Sequence, residues 1–184
     1  MNRRCHLMAL MVLVFFAGLV PQPVKCDETL TDQQKKKIVY EMYEDYRKEF
    51  PNVREISPEE AMKEAKAGKI IFVDTRKPAE MAVSMLPGAI PQKTFLKNPR
   101  KFKGKRIVAY CTISYRSGIF ARDMAAERIE IFNLRGGLLA WVLEGGKVYD
   151  AEGETKRINV YGKKWDYPPE GYESVVLGFF ERHF

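Results

Sequence analysis

Three stretches constrain this chain more than any others: KIIFVDTR at 69–76, RIVAYCTI at 106–113 and IEIFNLRGG at 129–137. Each is rich in β-branched residues, nearly unbroken in apolar character, and runs out into a polar turn. Strands read this way when both of their faces are buried, as in a parallel sheet, whereas a half-solvated antiparallel strand alternates. The segments between them carry short helical patterns, at Pro78 to Val83, about Ser117 to Arg128, and Leu138 to Glu144 before Gly145 and Gly146. The expected fold class is therefore α/β, a small open parallel β-sheet with helices on both faces. A chain of 184 residues, 46% hydrophobic, has material for one such core and too little for two. Open parallel sheets place ligands outside the carboxyl ends of their strands, and Asp74, Cys111 and Arg135 all fall at those ends.

The flanks add to this unit. In TDQQKKKIVYEMYEDYRKEF, residues Ile38, Val39, Met42, Tyr43, Tyr46 and Phe50 recur at helical spacing, Thr31 or Asp32 can serve as N-cap, and Pro51 ends the run. The spacing predicts an amphipathic N-terminal helix that covers part of the domain. A second helix is expected after Ser57, with Pro58 at the first helical position, Glu60 completing a capping box, and Gly68 as the stop. From Tyr149 onward the chain is rich in tyrosine, proline and glycine and has no room for another βα unit. It is read as an aromatic-rich C-terminal extension over the domain, with Trp165, Tyr167, Tyr172, Phe179 and Phe180 either completing the core or forming a patch for a partner.

The first residues have the order of a secretory signal: Arg3 and Arg4, an uncharged run of 14 residues from Leu7 to Val20, then a proline-broken polar stretch. The run falls short of the roughly 20 residues that span a bilayer, so cleavage near Cys26 is expected rather than a lasting membrane anchor. The segments are then 1–26 as signal peptide, 27–55 as N-terminal helical segment, 56–148 as the central domain and 149–184 as extension, with export to a periplasmic or extracellular space. Cleavage would lower the formal charge from +7 to +4, leaving 28 Lys and Arg against 24 Asp and Glu. Basic residues scattered among acidic ones give nucleic-acid binding little support.

Export also isolates Cys111, because Cys5 lies within the signal and Cys26 at its end. A lone thiol in an oxidising compartment is either buried as a small apolar side chain or put to use. In AYCTISYRSGIFARDMAAER, Cys111 follows a buried strand and a helix is expected near Ser117, so the backbone between them must curl into a tight loop. Amides of such a loop and the positive end of the helix favour an anion, and a thiolate is one. Arg116 adds a permanent charge and a forked donor suited to an oxyanion, or serves structurally by holding loop carbonyls. Ser117 is a candidate helix cap.

These residues carry a family resemblance. From about Ile56 to Val148 the chain resembles the rhodanese homology domain, through ISPEEAMKEA, IFVDTRKPAEMAVSMLPGAIP, the loop CTISYRS in place of C-x-x-G-x-R-[ST], and NLRGGLLAWVLEGGKV in place of L-x-G-G-x-x-x-W. The resemblance implies a sulfurtransferase in which Cys111 takes sulfane sulfur from a donor such as thiosulfate, holds it as a persulfide and passes it to a thiol, cyanide or a protein acceptor. It implies that Thr112, Ile113, Ser114, Tyr115, Arg116 and Ser117 bind the sulfur-containing anion. Asp74 and Arg76 hold the positions of the family's acid and arginine near the site, where an ion pair tying the strand end is the favoured role. Gly136, Gly137 and Trp141 read as turn and packing residues. No cofactor is implied, and His183 alone remains after cleavage, so neither a histidine base nor a multi-histidine metal site is supported.

Two positions depart from the family pattern: Ser114 stands where the loop glycine is usual, and Met85 where a histidine is. Four residues separate Cys111 from Arg116, one fewer than in the related phosphatases, and a smaller cup suits sulfur better than phosphate. The rival expectations are a non-catalytic binding module, which Ser114 favours, then a thiol-based phosphatase or arsenate reductase, then a redox-sensing thiol protein.

Overall fold

The computed structural model describes residues 29–178. The signal reading, Cys5, Cys26, Phe179, Phe180 and His183 lie outside those residues. The helix expected from the 31–50 spacing is present as α1 (Asp32–Tyr46), opened by a capping box between Thr31 and Gln34. It continues through a 3-10 turn at Arg47–Glu49, and its apolar stripe buries Val39, Tyr43 and Phe50. After β1 (Glu55–Ile56), helix α2 (Pro58–Lys66) starts at Ser57, whose hydroxyl accepts from the Glu60 amide at 3.2 Å. The expected capping box is only half made, because the Glu60 carboxylate instead accepts from Arg106 at 2.7 Å.

The sheet is wholly parallel. Its strands are β1, β2 (Ile70–Asp74), β3 (Ile90–Pro91), β4 (Arg106–Tyr110) and β5 (Phe132–Leu134), in the order β1-β5-β4-β2-β3. The three central strands coincide with the three apolar runs. The two edge strands were not expected: at two residues each they are too short to show any period.

Side chains alternate between two cores, as the pleat requires. Phe72, Val108 and Tyr110 face one layer together with Leu134, Leu138 and Trp141, under α1, α2 and α6 (Gly137–Leu143). Val73, Ile107 and Ala109 face the other with Phe95, Phe120, Ala121 and Met124, under α4 (Gln92–Lys97) and α5 (Tyr115–Ala126). The remaining helix, α3 (Pro78–Val83), follows β2. Trp141 anchors the first layer: its ring meets Phe72 edge-on at 5.2 Å and its indole N–H donates to the Lys147 carbonyl at 2.9 Å.

The extension is built from small strands. A hairpin joins β6 (Val148–Tyr149) to β7 (Glu154–Thr155), and β8 (Arg157–Asn159) pairs in parallel with β9 (Glu173–Val175). Ile158 and Val160 are fully buried in the first core layer, and Trp165, Tyr167 and Tyr172 pack against it. Met85, at the position of the usual histidine, makes an antiparallel bridge to Tyr149 and so ties the extension to the domain.

Candidate active site

Strand β4 stops at Tyr110, so Cys111 is the first residue beyond the sheet, and α5 begins at Tyr115, two residues earlier than the sequence suggested. The chain turns between them through Ser114, whose φ of 63° and ψ of 24° lie in the left-handed region. That conformation is why glycine is usual there, and this chain adopts it with a side chain attached. Among the described residues, the amide N–H groups from Thr112 to Ser117 find no acceptor in the protein, and the Thr112 and Ser114 hydroxyls are buried without hydrogen-bond partners. A run of unspent donors at a helix N-terminus is the arrangement that receives an anion.

The loop is held from below. Leu138 and Leu139, at the start of α6, donate their amides to the carbonyls of Cys111 at 2.9 Å and Thr112 at 3.1 Å. This close approach needs glycine at 137: a Cβ there would stand 2.4 Å from the Cys111 carbonyl oxygen and 2.8 Å from the Ser114 nitrogen. Asn133 on β5 fastens the other side, accepting from the Ser117 hydroxyl at 2.7 Å and donating to the Ser114 carbonyl at 2.9 Å and the Tyr43 hydroxyl at 3.0 Å. Ser117 is therefore no helix cap. It sits inside α5, fully buried, with its hydroxyl committed to β5.

Cys111 is 2% exposed and lies at a cavity of about 420 Å³, lined also by Thr112, Ile113, Tyr115 and Arg116 from the loop and by Tyr46, Lys77, Tyr161 and Trp165. Ser114 and Ser117, expected at the anion, are not among its lining residues.

The Arg116 fork, expected to grip an oxyanion, is occupied. Its two terminal nitrogens donate to the two carboxylate oxygens of Glu80, each at 2.7 Å. The Glu80 side chain is only 1% exposed and also accepts from the Lys77 amide at 2.9 Å. Burial pushes the Glu80 carboxyl up, but hydrogen bonding to and the charge of Arg116 outweigh it and hold the carboxyl below its usual range. Burial opposes the charge on Arg116, and hydrogen bonding to Glu80 together with the neighbouring Cys111 raises its pKa on balance. Three of the five guanidinium N–H groups remain outside the fork. Arg116 thus arrives beside Cys111 already charged, oriented and partly neutralised. Glu80 escaped the sequence reading, although its place three residues after Lys77 and 36 before Arg116 marks nothing by itself.

Asp74 and Arg76 do not reach Cys111's cavity. They form a fully buried ion pair at 2.7 Å, with Arg76 also donating to the Ser84 carbonyl and the Tyr110 hydroxyl to Asp74. Tyr110 in turn accepts from the Leu86 amide at 3.1 Å, so the cluster ties the ends of β2 and β4 to the 84–86 segment. Arg135 lies away from the cavity as well, paired with Glu44 of α1 at 2.9 Å and stacked over Tyr40.

Comparison with known proteins gives this geometry a family. The model of the rhodanese-like domain matches residues 57–144. A protein named sulfurtransferase from Allochromatium vinosum is 32% identical over 90 residues, a match covering 46% of this chain and 82% of that one. The chain belongs to the rhodanese family. Solved structures similar to it include a rhodanese-related protein from Thermoplasma volcanium, 21% identical over 52% of this chain and 96% of that one with a TM-score of 0.45. Another is a thiosulfate sulfurtransferase from Pseudomonas aeruginosa, 20% identical over 71% of this chain and 26% of that one with a TM-score of 0.47. The rhodanese segment supplies the loop, Glu80 and the two glycines, while Tyr46, Tyr161 and Trp165 come from outside it.

Proposed function

We propose that this rhodanese is a sulfurtransferase whose carrier is Cys111. The observation that supports the reading best is the loop itself: a lone thiol among the described residues, followed by six amides without acceptors and adjoined by a charged arginine. The Cys111 sulfur attacks the outer sulfur of a donor such as thiosulfate. The donor's S–S bond breaks, its electron pair leaves with sulfite, and the outer sulfur stays on Cys111 as a persulfide anion. The loop amides and the Arg116 donors outside the Glu80 fork stabilise that anion without reorganising, because Glu80, Asn133, Leu138 and Leu139 already hold the loop in place. With no second thiol among the described residues, discharge passes directly to an external thiol, cyanide or protein acceptor. The order of residues 1–26 supports an exported setting for this chemistry.

The test is intact mass after incubation with thiosulfate, beside a Cys111→Ser control. Gain of one reducible sulfur in the wild type alone, released as thiocyanate by cyanide, is the expected result. Absence of loading by several sulfane donors, with a titratable thiol, refutes the carrier and leaves a binding loop.

A further inference from the structure

A peptide unit is planar and trans, so a bond that fixes a carbonyl also fixes the direction of the next amide N–H. In the cysteine loop, Leu138 and Leu139 hold the Cys111 and Thr112 carbonyls and so set the Thr112 and Ile113 amides. The Ser114 carbonyl, which sets the Tyr115 amide, is held by the Asn133 side-chain amide at 2.9 Å and by the Gly118 N–H at 3.2 Å. Ser114 is also the strained residue of the loop, left-handed with a side chain attached. Asn133 therefore acts where the loop has most to gain by relaxing.

Asn133 holds that carbonyl in only one of its two amide orientations, because a flipped side chain would set oxygen against oxygen. The Ser117 hydroxyl on its other end can donate or accept and imposes no direction. Tyr43 of α1 does impose one. Its hydroxyl lies 3.0 Å from Asn133 Nδ2 and itself donates to Glu55 Oε1. A carboxylate only accepts, so the one phenolic proton is spent on Glu55, and only lone pairs face Asn133. Those lone pairs require the NH2 end. Glu55 is the register partner of Asn133 across β1 and β5, and Arg47 Nε anchors the same carboxylate oxygen at 3.0 Å. Tyr43 is fully buried; burial, then the hydrogen bond to Glu55 and its charge, push the phenol well above its usual value, so the proton stays in place. Tyr43, Arg47 and Glu55 all precede the residues 57–144 that match the rhodanese-like domain.

We propose that Tyr43, oriented by Glu55, is a positioning residue for the cysteine loop: through Asn133 it keeps Ser114 left-handed and fixes the Tyr115 amide among the loop's donors. The N-terminal helical segment thus supplies the restraint that a serine in the glycine position needs. The consequence for catalysis rests on the sulfur-carrier reading, whereas the restraint on the loop does not.

The test compares the wild type, Tyr43→Phe, Ser114→Gly and the double variant. Loading of Cys111 by thiosulfate, followed by intact mass, should slow about fivefold or more in Tyr43→Phe, the factor set by leaving one buried donor unpaired. Relative to Ser114→Gly, the double variant should slow by less than about twofold, because glycine takes left-handed backbone without restraint. NMR relaxation dispersion at the backbone amides, with no sulfur donor present, should show μs–ms exchange from Thr112 to Ser117 in Tyr43→Phe and in neither the wild type nor the double variant. A purely structural loss would slow both backgrounds equally and spread the exchange along α1. Equal slowing in the two backgrounds, or loading of Tyr43→Phe within about threefold of the wild type, overturns the proposal, as does a Tyr43→Phe loop without exchange. If no protein loads sulfur while the exchange pattern holds, the carrier reading fails and the positioning role stands. Should Tyr43→Phe fail to fold, Glu55→Gln carries the same comparison, since its amide can donate to the Tyr43 oxygen and remove the imposed direction.

Discussion

Replacing Gly137 by alanine tests how the cysteine loop is held. The residue has a φ of +62°, so the substitution adds the strain of a side chain in left-handed backbone, about 1–2 kcal/mol, less the ~0.5–1 kcal/mol by which alanine restricts the unfolded chain. The added Cβ also meets backbone rather than a side chain that could swing away, at 2.4 Å from the Cys111 oxygen. Such overpacking costs a further ~1–3 kcal/mol. The expected loss is about 2–4 kcal/mol in urea unfolding. To reach ordinary contact near 3.4 Å, that oxygen must retreat by about 1 Å, and a displacement of ~1 Å at a reacting group can cost about 100-fold in rate. Gly136→Ala is the control. Its φ of +65° imposes the same backbone strain, but its Cβ would press on the Ala140 side chain at 2.6 Å instead of the loop. Both variants should lose stability, and only Gly137→Ala should lose sulfur loading by a large factor. Loading within threefold of wild type in folded Gly137→Ala, or an equal loss in Gly136→Ala, would refute the claim that this glycine positions the loop.

Ser114→Gly should raise stability by about 1 kcal/mol, because relief of left-handed strain (~1–2 kcal/mol) exceeds the added chain entropy (~0.5–1 kcal/mol); a melting temperature at or below that of the wild type would contradict it. Glu80→Gln should cost roughly 1–3 kcal/mol at neutral pH, below the full figure for a buried pair because Arg116 keeps 31% of its side chain in solvent. The Glu80 pKa is lowered in the folded protein, so its contribution is complete above the ordinary carboxylate range and is lost as pH falls through the folded value. Urea titrations at neutral pH and near pH 3 should therefore show the gap between wild type and Glu80→Gln closing in acid, and a gap independent of pH would refute the role assigned to the fork.

The sheet was legible because β2, β4 and β5 are buried on both faces and so write continuous β-branched runs, while β1 and β3 are two residues each and write nothing. The cysteine loop was legible for the same local reason: a strand end, a cysteine and an arginine within six residues leave few ways for the backbone to turn. The partners of that loop were not. Glu80 lies 36 residues from Arg116 and Asn133 lies 16 from Ser117, and a carboxylate or an amide in a helical or strand pattern carries no mark of what it will face. The same holds for Arg135, which its strand end suggested for the site and which the structure pairs with Glu44.

By itself, then, the sequence determined what depends on neighbours along the chain: the three central strands and the helix that follows each, the cup around Cys111, and the need for glycine in the turn before α6. Tertiary structure alone decided what depends on neighbours in space. It gave the Arg116 fork to Glu80, turned Ser117 toward β5, and brought Tyr46, Tyr161 and Trp165 from both ends of the described chain to one cavity. Periodicity and spacing are properties of a few consecutive bonds, whereas a pocket wall exists only once the whole core has closed.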